Sequence, residues 1–96
     1  MKTFNDLEFK QHSNMLTREA KQAVIFFPNG YGASVVTGKM FYTSEDKPYE
    51  MAILFGNEKD YCLTYSSGIT DDVLGHLTAD DVTNYLKMIQ ELEAAK

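Results

Sequence analysis

The side chains in this sequence that could act as nucleophiles, bases or metal ligands are few and widely separated. Cys62 is the only cysteine. No helix start or basic cluster adjoins it, so we expect a buried structural thiol rather than a nucleophile. His12 and His76 stand apart and lack the His-x-x-x-His spacing of a zinc site. The sequence therefore predicts no metal site, no cofactor and no thiol chemistry.

Two pairs of adjacent aspartates, Asp71-Asp72 and Asp80-Asp81, come closest to an acid–base or cation-binding set. Paired carboxylates can bind a cation or share acid and base roles. Each pair also lies near a threonine at a predicted helix start, where negative charge offsets the helix dipole, and this is the role we favour. The glycines of Gly30-Tyr31-Gly32 do not form a phosphate site, because no helix follows them. We predict that the chain is not an enzyme.

The strongest structural signal is a β-hairpin in which two apolar runs flank Asn29-Gly30. A two-residue loop there places Val24 and Phe26 on one face, whereas a three-residue loop that includes Pro28 places Ile25 and Phe27 on it. In either register the returning strand contributes Tyr31, Ala33 and Val35 to that face. We favour the two-residue loop. The first strand is apolar on both faces, so each side of the sheet must be covered.

A second hairpin is predicted between a strand over 49–55 and a strand over 61–65, with a loop at 56–60. A loop with an odd number of residues aligns the apolar side chains of both strands on one face. Those side chains are Met51, Ile53, Phe55, Tyr61, Leu63 and Tyr65. We expect them to form the core, within an antiparallel sheet over 22–65.

The clearest helix signal is the capping pattern Thr78-Ala79-Asp80-Asp81. Apolar residues follow it at helical spacing, namely Val82, Tyr85, Leu86, Ile89 and Leu92. A helix over 79–94 is therefore predicted, with Lys87, Gln90 and Glu91 facing solvent. Residues 70–75 are predicted to form a short helical turn from Thr70 to Gly75. Residues 1–20 are predicted to be an irregular arm or edge strand, with one helical turn near its end.

Together these elements predict a single α+β domain over residues 1–96. Its antiparallel β-sheet of four to five strands, built from two hairpins, packs against a C-terminal α-helix. Ninety-six residues, 44% of them hydrophobic, are enough for one core and argue against disorder.

Acidic residues are concentrated in the second half of the chain. The net charge is +2 over residues 1–40, −3 over 41–67 and −4 over 68–96, which gives −5 for the whole. An acidic surface repels phosphate backbones, so direct nucleic-acid binding is not expected. The charge indicates solubility, or an acidic face offered to a basic partner.

The sequence carries no indication of export or membrane insertion. The single cysteine rules out an intrachain disulfide and favours a reducing compartment. The first residues lack the apolar stretch of a signal peptide, and no run approaches 18 apolar residues. We expect a cytoplasmic protein without a membrane partner.

Three blocks resemble a family of small uncharacterised proteins from tailed bacteriophages and prophages. The blocks are Asn-Gly-Tyr-Gly-Ala-Ser-Val-Val over 29–36, Tyr-Glu-Met-Ala-Ile-Leu over 49–54, and the segment over 69–82 that begins Ile-Thr-Asp-Asp-Val. The resemblance spans residues 22–92 and departs over the first twenty residues and around 45–47. It implies a phage accessory gene acting in the host cytoplasm, and it carries over no catalytic or binding residues.

Three hypotheses for function follow. The first is a non-enzymatic protein that binds a host or defence-system protein and modulates it during infection. The second is a phage structural or assembly accessory, or a homodimer that covers its apolar sheet with its own copy. The third is a small-molecule or nucleotide-binding protein, which needs a pocket with convergent polar groups. For the first, the predicted contact residues are Asn29, Tyr31, Phe41, Tyr42, Asp71 and Asp72, with Tyr42 as a hot-spot candidate.

Overall fold

The computed structural model describes residues 1–11, 21–38, 46–64 and 73–92. A 3₁₀ turn at Phe4–Asp6 precedes the sheet. The strands are β1 (Lys10–Gln11), β2 (Lys21–Phe26), β3 (Tyr31–Thr37), β4 (Tyr49–Asn57), β5 (Asp60–Leu63) and β6 (Leu74–Leu77). The α-helix α1 covers Ala79–Gln90 and follows the last strand.

All strand pairs in the sheet are antiparallel, and the strands lie in the order β1-β2-β3-β4-β5. β4 is long enough to pair with two strands on its far side. Its first half pairs with β6 and its second half with β5. The α+β class, the antiparallel sheet and the C-terminal helix are thus confirmed.

The first hairpin has a three-residue loop, so the favoured two-residue register is wrong. The backbone N–H of Phe27 donates to the carbonyl of Tyr31 at 2.8 Å, which leaves residues 28–30 as the loop. Gly30 has a φ of 90°, which favours glycine, and the Asn29 side-chain oxygen accepts from the Tyr31 N–H at 3.0 Å. Ile25 therefore lies on the face of Ala33, with which it is paired.

The second hairpin turns through only two residues, 58 and 59, because β4 runs on to Asn57. The Asn57 side-chain oxygen accepts from the N–H groups of Lys59 and Asp60 at 2.9 and 3.2 Å and holds this turn. An even loop reverses the faces of the returning strand. Tyr61 and Leu63 therefore lie on the face opposite Met51 and Ile53, and the expected core alignment is wrong.

Residues 74 and 75 belong to β6 and not to a helical turn, so that part of the predicted turn is wrong. Residues 70–72 lie outside the described ranges. Tyr49 pairs with Leu77 and Met51 with Leu74, which leaves one extra residue in β6 as a β-bulge. His76 lies in this bulge with a φ of 54° and is exposed.

Helix α1 begins where the capping pattern predicts. The Asp81 N–H donates to the Thr78 hydroxyl at 3.1 Å, and the Asp81 carboxylate accepts from the Thr78 N–H at 2.9 Å. The helix ends at Gln90, so the predicted helix is wrong at residues 91 and 92, and its residues 93–94 lie outside the described ranges. Among the described residues, no helix combines the length and apolar character that crossing a membrane requires.

The core lies between α1 and one face of the sheet. Val82, Leu86 and Ile89 are fully buried, as their helical spacing predicts. They pack with side chains from the facing strands, namely Phe27, Ala33, Val35, Met51, Ile53 and Leu77.

The first residues of the chain form an arm that is fixed to α1. The Gln90 side chain accepts from the Lys2 N–H at 2.9 Å and donates to the Lys2 carbonyl at 2.8 Å. The Phe4 N–H donates to the Thr83 hydroxyl at 3.1 Å, and the Phe4 ring lies 5.0 Å from that of Tyr49. Gln90 is half-buried by this contact, so its expected solvent role is wrong. The predicted turn at 15–20 lies outside the described ranges.

Candidate functional site

The sheet face opposite α1 carries a group of apolar side chains that reach the surface. They are Val24 and Phe26 of β2 and Tyr61 and Leu63 of β5, which we call the apolar strip. Val24 is 39% exposed, Tyr61 45% and Leu63 47%, while Phe26 is half-buried. Leu54 and Val36, which share this face, are themselves buried.

Two aromatic rings join the halves of the strip across the sheet. The centroids of the Phe26 and Tyr61 rings lie 5.2 Å apart although β2 and β5 are separated by two strands. Gly32 and Gly56 make this possible. A Cβ on Gly32 would lie 2.6 Å from the Phe26 ring, and one on Gly56 would lie 2.9 Å from the Tyr61 Cα. The Phe26 ring therefore occupies space that a side chain at position 32 of β3 would otherwise fill, whereas the space beside Gly56 is taken by the backbone of β5.

The hairpin end of the sheet carries a second, smaller apolar contact on the helix side. The rings of Tyr31 and Phe55 meet edge to face, with their centroids 5.7 Å apart. Tyr31 is half-buried and Phe55 is 39% exposed. Tyr31, a predicted contact residue, is therefore partly accessible at this end.

Asn29, the second predicted contact residue that the structure describes, is used within the fold. Its side-chain amide donates to the carbonyls of Ile89 and Leu92 at 2.8 and 3.2 Å. The Ile89 carbonyl is in the last turn of α1, where it also accepts from the Leu92 N–H at 3.2 Å, and Leu92 follows the helix. Asn29 is thus bonded to the end of α1, and its side-chain oxygen also accepts from the Tyr31 N–H. The other predicted contact residues, Phe41, Tyr42, Asp71 and Asp72, lie outside the described ranges.

Cys62 lies in the middle of β5 and is exposed, so the expectation of a buried thiol is wrong. Among the described strands β5 is at the edge of the sheet, and all four of its residues are exposed. A shallow cleft of about 310 Å³ is lined by Phe55, Gly56, Asp60, Tyr61 and Cys62. Over the described parts of the chain, no three histidine, cysteine or acidic side chains come together as a metal site.

A second cleft, of about 390 Å³, opens between the N-terminal arm, the first hairpin and the end of α1. Phe26, Phe27 and Pro28 line one side, and Met1, Lys2, Asp6 and Gln90 the other. The Gln90 amide is already bonded to Lys2, and the Asp6 carboxylate accepts from the Thr3 N–H at 2.7 Å. These two polar groups therefore stabilise the arm.

Of the aspartate pair at the start of α1, Asp81 takes part in the helix cap. Hydrogen bonds from Thr78, first from its backbone N–H and then from its side chain, lower the pKa of the Asp81 carboxyl from its ordinary value of 3.8. A charged carboxylate there also offsets the helix dipole. Asp80 is exposed in the same turn.

The register explains why sequence reasoning missed the apolar strip. Tyr61 and Leu63 were placed with the core because an odd loop was expected, and an even loop reverses them. The signal that could have found them is the Gly56-Asn57 pair, because asparagine favours turns and glycine permits an unusual φ.

We compared the chain with protein-family models, curated proteins and solved structures, and none of them matches it.

Proposed function

We propose that this chain is a non-enzymatic interaction protein that binds a host or defence-system protein through the apolar strip. The strip is the single observation that carries the proposal. It presents an aromatic and two aliphatic side chains at 39–47% exposure, on a sheet whose other face packs against α1. Exposed apolar groups of this kind mark protein–protein contacts.

The composition of the strip favours a protein partner. Aromatic side chains supply much of the binding energy at interfaces, and Tyr61 presents both an apolar ring and a hydroxyl. The Phe26 ring supports the Tyr61 ring from below the surface, so Tyr61 loses little conformational entropy when a partner binds.

The setting of this function is also a proposal, and it rests on the resemblance of the blocks at 29–36, 49–54 and 69–82 to phage and prophage proteins. The protein then acts in the cytoplasm of an infected bacterium. Its net charge of −5 directs it away from nucleic acid and toward neutral or basic protein surfaces.

The test uses affinity capture from a bacterial host lysate with a tagged chain, followed by purification of the captured protein and titration calorimetry. The strip variant is Tyr61→Ser with Leu63→Ser. The matched control is Met88→Ser, because Met88 is 45% exposed but lies on α1. We expect the strip variant to weaken the purified complex at least about tenfold and the control to leave it unchanged.

Circular dichroism of both variants shows whether the fold survives. If no protein is captured in stoichiometric amount, or if both variants weaken the complex equally, the apolar strip is not the binding surface.

A further inference from the structure

The outer edge of β5 presents backbone groups that none of the described strands uses. The Thr64 N–H donates to the Ile53 carbonyl at 2.9 Å. This bond shows which residue pairs between β4 and β5 are hydrogen-bonded and which are not. In an antiparallel ladder the bonded pairs alternate, so Cys62 bonds to Phe55, with which it is paired. The N–H and C=O groups of Tyr61 and Leu63 therefore point away from β4.

The other edges of the sheet carry features that block pairing, and the described residues of β5 carry none of them. The β2 edge is covered at Lys21 and Gln22 by β1, and Pro28 follows it. The β6 edge is interrupted by the bulge at His76. Lysine, proline and bulges are the usual protections of edge strands. Within β5 the only charged residue is Asp60, at its first position.

The β5 edge is complementary to itself about Cys62. Two copies in antiparallel register about this residue place Tyr61 of one opposite Leu63 of the other, on the face of the apolar strip. Asp60 falls opposite the uncharged Thr64, so no like charges oppose each other. The outward groups of Tyr61 and Leu63 then form about four backbone hydrogen bonds between the copies.

We infer that a second copy of this chain adds to β5 and makes a twofold dimer with one continuous sheet. The two apolar strips become neighbours across the dyad, with Tyr61 and Leu63 of both copies at its centre. This assembly does not depend on the host partner proposed above. The symmetric contact is of the closed type, in which the same edge serves both copies and no further copy can add.

The Cys62 thiols provide the test, because the register sets them directly opposite each other. In an antiparallel non-hydrogen-bonded pair the Cα atoms lie about 4.5 Å apart, within the range of a disulfide. Diamide oxidises the two thiols to one disulfide and takes up both protons and both electrons as it becomes the hydrazine. At micromolar concentration we expect rapid conversion to a covalent dimer that dithiothreitol reverses.

The matched control moves the thiol to the far side of the strip. Val24→Cys in a Cys62→Ser background places an exposed cysteine on β2, where the dimer keeps the two copies apart. We expect at least about tenfold slower cross-linking. Equal rates for the two cysteines would show chance collision or a face-to-face contact and would overturn the proposal.

Sedimentation velocity supplies a measurement without an oxidant. The wild-type chain should sediment as a dimer at micromolar concentration, and Leu63→Pro as a monomer because proline removes an outward N–H. A wild-type monomer would sink this dimer and leave the host-partner proposal intact. If Leu63→Pro fails to fold, the cysteine rates and the wild-type sedimentation decide the question.

Discussion

Gly32 is the residue on which the apolar strip most depends, because the Phe26 ring, which contacts the Tyr61 ring, lies where its side chain would be. We predict that Gly32→Ala lowers the free energy of unfolding by about 1–3 kcal/mol, since the added methyl group meets both the Phe26 ring and the backbone oxygen of Ile25. Urea unfolding at neutral pH measures this change.

The control for this substitution is Thr37→Ala at the end of the same strand. It removes atoms instead of adding them against a fixed oxygen, so we expect a cost below about 1 kcal/mol. Equal costs at the two positions would show that the crowding at Gly32 relaxes freely.

Asp81 gives the helix start a defined pH dependence. Because its folded pKa lies below 3.8, its carboxylate adds stability in full above pH 3.8, and that stability is lost as the pH falls through the folded pKa. We predict that Asp81→Ala is less stable than wild type at pH 5–7. The difference should shrink below pH 3.8. Thermal unfolding from pH 2.5 to 7 measures the stability difference between Asp81→Ala and wild type. The control is Asp80→Ala, because Asp80 is exposed. A stability difference for Asp81→Ala that stays constant over this range would contradict the capping role.

At the residue scale, local patterns were predictable and long-range contacts were not. The cap formed by Thr78 and Asp81 depends on residues three positions apart, and the sequence shows it directly. The contacts of Asn29 and Gln90 join residues 60 and 88 positions apart, and no local signal marks them. The exposure of Cys62 depended on which strand is at the edge.

Among the elements, the first hairpin and α1 are coupled through Asn29. Its amide group donates to two carbonyls at the helix end. We predict that Asn29→Ala lowers the free energy of unfolding by about 1–3 kcal/mol, because the two carbonyls and the Tyr31 N–H lose their hydrogen bonds to Asn29. Urea unfolding gives the total, and amide hydrogen exchange in the last turn of α1 localises the loss.

Asn29→Asp separates the two parts of this effect. Aspartate keeps the oxygen that accepts from Tyr31 but loses the donor and places negative charge at the negative end of the helix dipole. We expect it to be at least as destabilising as alanine at pH 7. An aspartate variant as stable as wild type would show that the loop, and not the helix end, determines the role of Asn29.

The strands and the helix were predictable from their patterns, but the strand registers were not. β2 is apolar on both faces, so no face preference chooses between loops of two and three residues. β6 was missed because Leu-Gly-His-Leu has neither alternation nor helical period. Its pairing with Tyr49 and Met51 is a tertiary contact that includes a bulge.

For the whole molecule, the net charge disfavours association between copies, whereas the apolar strip favours it. The net charge of −5 disfavours association beyond the dimer at neutral pH, and it vanishes near the isoelectric point of about 4.8. We predict that light scattering from higher assemblies peaks near pH 4.8 and falls severalfold in Leu63→Lys. Met88→Lys adds the same charge at an equally exposed position on α1 and should scatter like wild type. Equal effects would assign the association to charge alone.

The fold class of the whole molecule followed from the sequence, whereas the candidate surface did not. Two strong hairpin signals and one capped helix were enough for an antiparallel sheet with a helix on it. Of the contact residues expected from the sequence, Asn29 lies in the first hairpin loop and Tyr31 lies on the helix side of the sheet, the face opposite that of Leu63. An exposed sheet face is a property of the assembled layers, so it was visible only once both registers were known.

The hydrogen bonds between the N-terminal arm and α1 constrain the order in which parts of the fold can pack during synthesis. Lys2 bonds to Gln90 and Phe4 to Thr83, across 88 and 79 positions of chain. Closing so long a loop is slow, and the hairpins between them form from nearby residues. During synthesis the arm emerges before the helix that holds it, so it is among the last segments of the fold to pack. Until the final helix leaves the exit tunnel, Phe4 has no hydroxyl to receive its N–H.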